Sequence, residues 1–272
     1  MSSLPYLAKR EEAQNSMGAG RTATTKRARE SQIRDEARRK REEFMLDQAR
    51  RIAREEGLHA LNLPRLAQAS GYSKPTIYKY FPTTEDLVVA LAVQSTAIRV
   101  DHYERALTFL GRPREKLWGI HALNFGPLRE YFREWLNLHI NRLRRQATLK
   151  RQRQLQQNEE RIVEIAAGIV REAVDIGDLA LPEGVTEYQI LFTLSSITFG
   201  GYVMKESDSP VMKKWFQKIR FMFGTFGSVV LDGMGWHPLT RQWDYSQTLG
   251  RFYREVFPEL AGDRVLAVES AR

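Results

Sequence analysis

Apolar residues in this chain recur at three- and four-residue spacing, in runs that glycine and proline interrupt. That period lines one face of a helix, whereas a half-buried strand needs strict alternation. Phe44, Met45, Ala49, Ile52 and Ala53 form the first stripe, and Gly57 stands where a helix-ending glycine is favoured. Asn62 is a helix-capping residue type, Pro64 fits a first turn, and Leu63, Leu66 and Ala67 give a second stripe that Gly71 breaks. Ser73 caps a third segment, with Pro75 in its first turn, running to about Phe81, and Pro82 cannot continue it. Thr83 followed by Asp86 is close to a capping box, and a long apolar-periodic stretch runs on from Leu87. No segment sustains strand alternation and no internal repeat occurs. The expected fold class is all-α.

The same punctuation divides the rest. Gly111 to Pro113 and Asn124 to Pro127 are breaks. Residues 128–149 carry Leu128, Phe132, Trp135, Leu136, His139 and Leu143 at helical spacing. Asn158, with Glu159 and Glu160 behind it, reads as a helix start, closing at Gly177. After a loop at Pro182 to Thr186, apolar helices are expected at 186–205 and 210–232, split by Ser207 to Pro210, and a last one at 240–256. Residues 1–30 hold too few large apolar groups to offset the entropy of ordering, so a disordered basic arm is expected there. The organisation expected is this arm, a small head at 31–83, a larger helical body at 84–260 and a tail at 261–272.

Composition removes whole classes of chemistry. A chain of 272 residues can bury a core without covalent staples. With no cysteine there are no disulfides, thiolate metal sites or cysteine nucleophiles. The histidines at 59, 102, 121, 139 and 237 form no i,i+4 pair, so no metal site is expected. GxSxG, GxGxxG, phosphate-loop and HExxH motifs are all missing, so the expectation is no enzyme, no catalytic residue and no cofactor. No apolar run approaches the ~18 residues of a membrane span and no signal-peptide pattern opens the chain, so a cytoplasmic protein without a membrane partner is expected.

The net charge of +9 suggests a polyanionic partner, and its distribution says more. Residues 1–100 hold 18 basic and 12 acidic side chains, 101–161 hold 13 and 7, and 162–272 hold 11 and 14. One basic run, Lys26 to Arg41, abuts the first stripe; a second, Arg142 to Arg153, contains no acid. Either could be a solvated helix face.

A helix, a turn holding Gly71 and a short helix form a helix-turn-helix pattern, whose second helix enters the DNA major groove. Lys74, Thr76, Tyr78, Lys79 and Tyr80 crowd that helix with charge and hydroxyls, while Ile77 and Phe81 supply an inward stripe. The stretch from Phe44 to Leu87, above all GYSKPTIYKYFPTTEDL from Gly71, resembles the tetracycline-repressor (TetR/AcrR) family of bacterial transcription regulators. Met45-Leu46-x-x-Ala49, Gly57, Leu66-Ala67, Gly71-x-Ser73, Thr76-Ile77-Tyr78 and Phe81-Pro82 carry the likeness.

The resemblance implies a three-helix DNA-binding head, a helical ligand-binding body and a homodimer on double-stranded DNA. By position, Asn62 would cap the second helix, with Ser73 in the turn. Lys74 and Pro75 would face base edges, Pro75 against a thymine methyl. Thr76, Lys79 and Tyr80 would hold phosphates. Tyr78 would lie at a base or phosphate, the alternative being a tyrosine packed beneath the helix. Thr84 stands where many members carry a phosphate-binding lysine. Leu63 and Pro64 replace polar residues of the second helix, leaving Arg65 as its candidate reader.

In the body, His102, Tyr103, Trp118, His121, Phe125, Trp135, His139, Phe192 and Tyr202 are candidates for lining an effector pocket, each equally able to be core. The 186–232 pair, with Phe216, Phe221, Phe223, Phe226 and the glycines 200, 201, 224 and 227, resembles the dimerising helices of the family. The regulator expected is a repressor released from a palindromic operator by a small apolar or aromatic effector. The alternative is a ligand-independent or architectural DNA-binding protein with a solid body.

Overall fold

The computed structural model describes residues 5–140, 142–205, 209–212, 214 and 226–260, with side chains from residue 29 onward over most of them. Among the described residues every regular element is helical. The chain divides into one unit at Met1–Thr84 and another at Glu85–Arg272.

The first unit opens with α1, Pro5–Glu55. This differs from the arm expected at 1–30, because helical backbone begins at Pro5. Alanine, glutamate, glutamine, lysine and arginine dominate residues 8–14 and 26–43, and strong helix formers need no packed face to favour the helix locally. Among the side chains described, burial begins near the end, at Met45, Leu46, Ala49 and Ile52. A 3-10 turn at Leu58–Ala60 leads to α2, Leu63–Ser70, and α3, Lys74–Tyr80. The α2 cap is Asn62, whose side chain accepts the Arg65 N–H at 2.9 Å. Gly71 ends α2 at φ +74°, a left-handed conformation that glycine adopts without steric cost.

The second unit contains α4 (Thr84–Ala106), α5 (Pro113–Phe125), α6 (Arg129–Ile140), α7 (Leu149–Asp175), α8 (Glu187–Lys205) and α9 (Tyr245–Val256). Its core joins Leu123 of α5, Ile169 and Val170 of α7, Trp236, and Phe252 of α9. A Cβ on Gly119 would stand 2.4 Å from the Phe252 ring, so α5 and α9 meet closely only because that residue is glycine. The fully buried Arg114 ties the loop before α9 to this core: it ion-pairs with Asp232 at 2.6 Å and donates to the Trp236 carbonyl and to Thr240.

Two boundaries differ from the sequence expectation. The helix expected over 128–149 stops at Ile140, and a 3-10 turn, Leu143–Gln146, follows Arg142 at φ 55°. The helix expected to start at Asn158 starts at Leu149 instead. Asn158 therefore lies inside α7, where its amide donates to the Val93 carbonyl and the Thr96 hydroxyl of α4 at 3.0 Å each. A residue suited to capping is here a bridge between helices, which the spacing of neighbours along the chain could not reveal.

The Arg142–Arg153 run straddles this turn. Arg144 pairs with Glu159, and Arg151 with the buried Asp86 at 3.3 Å, so part of the run ties the body together. The helix expected at 210–232 falls largely outside the described residues, with Phe216, Phe221, Phe223 and Gly224; a π-helical turn, Phe226–Leu231, is described. The tail at 261–272 also lies outside them. No described helix is long and apolar enough to cross a membrane.

Candidate nucleic-acid interface and body cavity

The shape of α3 follows from its two ends and one face. Ser73 accepts the Thr76 N–H at 3.4 Å, and its hydroxyl is 2.9 Å from that of Thr76. A cap of this kind matters most in a helix of seven residues, which has few internal bonds of its own. Ile77 and Phe81 are fully buried and dock the helix. Consequently Lys74, Pro75, Tyr78 and Lys79 face solvent, with Thr76 and Tyr80 partly covered. Tyr78 is 49% exposed, so it does not pack beneath the helix.

The basic end of α1 lies beside this face. Arg34, Ala37, Arg38 and Arg41 line a groove with Pro75, Thr76, Lys79 and Tyr80, and the Arg38 guanidinium sits 5.6 Å from the centre of the Tyr80 ring. The positive charge of both helices therefore converges on one surface of the first unit. Arg65 is placed differently from the role expected of it. Its Nε and Nη2 donate to the two Glu56 carboxylate oxygens at 3.2 and 2.5 Å, and Nη1 donates to Gln68. The Arg65 hydrogen bond holds the Glu56 carboxyl below its usual range. Asn62 is occupied by its cap. Both side chains are thus engaged within the first unit.

In the second unit a cavity of about 410 Å³ opens among α4 to α8. Of the nine residues expected to line a pocket, Tyr103, His121, Trp135, His139 and Phe192 do so. The other four do not, because the core claims them. His102 stacks on Phe257 at 5.5 Å, and Trp118 is buried against Tyr245. Phe125 stacks on Tyr202 at 4.9 Å, and the Tyr202 hydroxyl donates to the Asn124 carbonyl. Helical spacing marks these aromatics as inward-facing but cannot separate a packed face from a hollow one.

The cavity wall is mainly apolar, with a few placed polar groups. Burial pushes the His121 imidazole down to about 3, so it is neutral at physiological pH. Burial also lowers His139, whose Nε2 lies 3.4 Å from Glu159. Glu159 accepts from the Trp135 indole N–H at 2.8 Å and pairs with Arg144. Arg99 was not among the expected lining residues, yet it lies in the wall with only 4% of its surface exposed. Its signal was present in the sequence: it is the single charged residue between Asp86 and Asp101.

Residues 45–91 match the family model of bacterial regulatory proteins of the tetR family. Solved structures share the fold. A gamma-butyrolactone receptor described as ArpA-like is 18% identical, with a TM-score of 0.53, over 80% of this chain and 98% of its own. A transcriptional regulator from Saccharomonospora viridis, solved in complex with choline, is 19% identical, with a TM-score of 0.50, over 68% of this chain and 94% of its own. No curated protein sequence matches significantly. The head motif, the matched segment and the all-helical architecture together liken this chain to bacterial regulatory proteins of the tetR family, with the family match lying in its N-terminal head.

Proposed function

We propose that this protein is a cytoplasmic, non-enzymatic repressor that binds a palindromic operator as a homodimer and is released by a small apolar effector held in its body. The observation that carries this is the outward face of α3. Its anchors, Ile77 and Phe81, are buried, which turns Lys74, Pro75, Tyr78 and Lys79 outward beside Arg34, Arg38 and Arg41. At the N-terminal end of such a helix Lys74 and Pro75 suit base edges, while Thr76, Lys79, Tyr80 and the α1 arginines suit phosphates. Ser73 and Asn62 act through the caps that set the two helices.

The cavity supports an effector. It is a mainly apolar concavity of about 410 Å³ with a few placed polar groups, which is the form of a small-molecule site. A dimer is supported by α8, which exposes Tyr188, Phe192, Ile197, Val203 and Met204 along its length. A surface this apolar is more often covered by a partner than left in water. Phe192 also lines the cavity, so a ligand there would act next to the proposed interface. Release requires that the effector bind the DNA-free arrangement of the dimer more tightly than the DNA-bound one.

The test is selection of bound duplex from a random pool by the full chain. An enriched palindrome is the expected result. Enrichment of a single asymmetric site, or none, would overturn the reading. The double variant Tyr78→Ala/Lys79→Ala should lose the selected site while remaining a dimer.

A further inference from the structure

We infer that the cavity takes a monocarboxylate, an apolar molecule whose anionic end is recognised by Arg99. This rests on the effector reading above and adds the chemical class of the ligand. Arg99 is held in the cavity wall by one hydrogen bond, from Nη2 to the Tyr103 hydroxyl at 3.0 Å, and that hydroxyl donates onward to Asn124 at 2.6 Å. Phe132, Trp135 and Tyr103 surround the guanidinium, with ring centres 4.9, 5.2 and 5.5 Å from it. Its Nε and Nη1 are buried, and among the described residues they have no hydrogen-bond acceptor and no carboxylate pairs with the guanidinium. An arginine cannot shed its proton to escape this.

The same unit shows how the fold treats an arginine that is purely structural. Arg114, equally buried, is given Asp232, the Trp236 carbonyl and Thr240. Arg151 is given Asp86. Arg99 alone among these three lacks a counter-charge, and it alone lines the cavity. The nearby acids are engaged elsewhere: Glu159 with Arg144 and Trp135, and Glu134 with the Ser95 hydroxyl. Aromatic faces attract the cation but do not replace acceptors for its N–H groups. A carboxylate supplies both the charge and the acceptors.

The remaining wall sets the rest of the ligand. Leu117, Ile120, Ile162 and Leu191 in the same wall offer only apolar contact, and Ser195, Ser196 and Thr198 add hydroxyls without charge. Arg99 is the one arginine or lysine among the described lining residues, so the wall offers a single countercharge, which favours a monoanion over a phosphate or a dicarboxylate.

The experiment uses two matched pairs, octanoate with 1-octanol and 2-naphthoate with 2-naphthalenemethanol, titrated calorimetrically into the full chain. At least one acid should bind tenfold or more tightly than its alcohol. In Arg99→Met that preference should fall to less than threefold, while Arg99→Lys should keep part of it. Melting temperature and binding to the pool-selected DNA report whether each variant is folded. Equal binding of acid and alcohol to the wild type would overturn the carboxylate assignment and leave the effector reading standing. A preference that survives in a folded Arg99→Met would overturn it as well. If no member of either pair binds the wild type, the assignment fails; if in addition a wider screen of neutral and anionic molecules finds nothing that releases DNA, the effector reading fails too.

Discussion

Ile77 and Tyr78 are adjacent residues on opposite sides of α3, and their replacement should separate folding from DNA binding. Ile77 is fully buried. Ile77→Ala removes its outer carbons and leaves a void that the capped, two-anchor helix cannot close, so the head should lose about 2–5 kcal/mol; Ile77→Val should cost about 1 kcal/mol. Tyr78 is 49% exposed, and its truncation should change stability by no more than about 0.5 kcal/mol. Binding to the selected operator should behave in the reverse way. Tyr78→Ala should weaken it about tenfold or more, because each ~1.4 kcal/mol of binding free energy is a factor of ten. Ile77→Val should leave it within threefold. Urea unfolding followed by circular dichroism, with fluorescence-anisotropy titration of the operator, measures both quantities on the same samples. Destabilisation of the head by Tyr78→Ala as large as that by Ile77→Ala would refute the reasoning. Wild-type operator binding by Tyr78→Ala would refute it equally.

Three further outcomes are expected. Replacing Arg34, Arg38 and Arg41 by alanine should flatten the dependence of operator affinity on salt by about 0.9 for each phosphate no longer neutralised, without changing the preferred sequence; an unchanged slope would make these arginines a solvated face. Gly119→Ala should destabilise the body by about 1–3 kcal/mol, since the added methyl meets the fully buried Phe252 ring, and a neutral effect on the melting temperature would contradict the close approach. His121 is held neutral down to about pH 3, whereas the unfolded chain protonates it near 6.5, so the unfolded state binds the extra proton between those values. Its contribution to stability is therefore complete above pH 6.5 and declines by about 1.4 kcal/mol per unit as pH falls toward 3. Urea unfolding at pH 7 and pH 5 should show that decline in the wild type and a smaller one in His121→Gln; equal declines would refute the assignment.

Much of the head was legible because its signals are local. Asn62, Gly71 and Ser73 each act within a few residues of where they stand, through a cap or a left-handed turn, and the structure places them so. The anchors Ile77 and Phe81 follow from a four-residue spacing. Arg65 was the exception, since its partner Glu56 lies across a turn and no helical spacing connects the two. The body was legible only in outline. Its helices could be counted, but Asn158 looked like a cap and proved to be a bridge to α4. Trp118 and Trp135 carry similar sequence signals, yet one is core and the other lines the cavity.

The sequence by itself determined what short-range physics controls: helical class, the capped helix-turn-helix and the sign of its exposed charge. Only the tertiary structure decided which inward faces close and which stay hollow. A cavity is a property of several helices at once, set by the volumes that meet there, and no single helix encodes it. The same is true of Arg99. As a letter it is one arginine among many, and only the helices packed around it make it a buried cation with no counter-charge among the described residues.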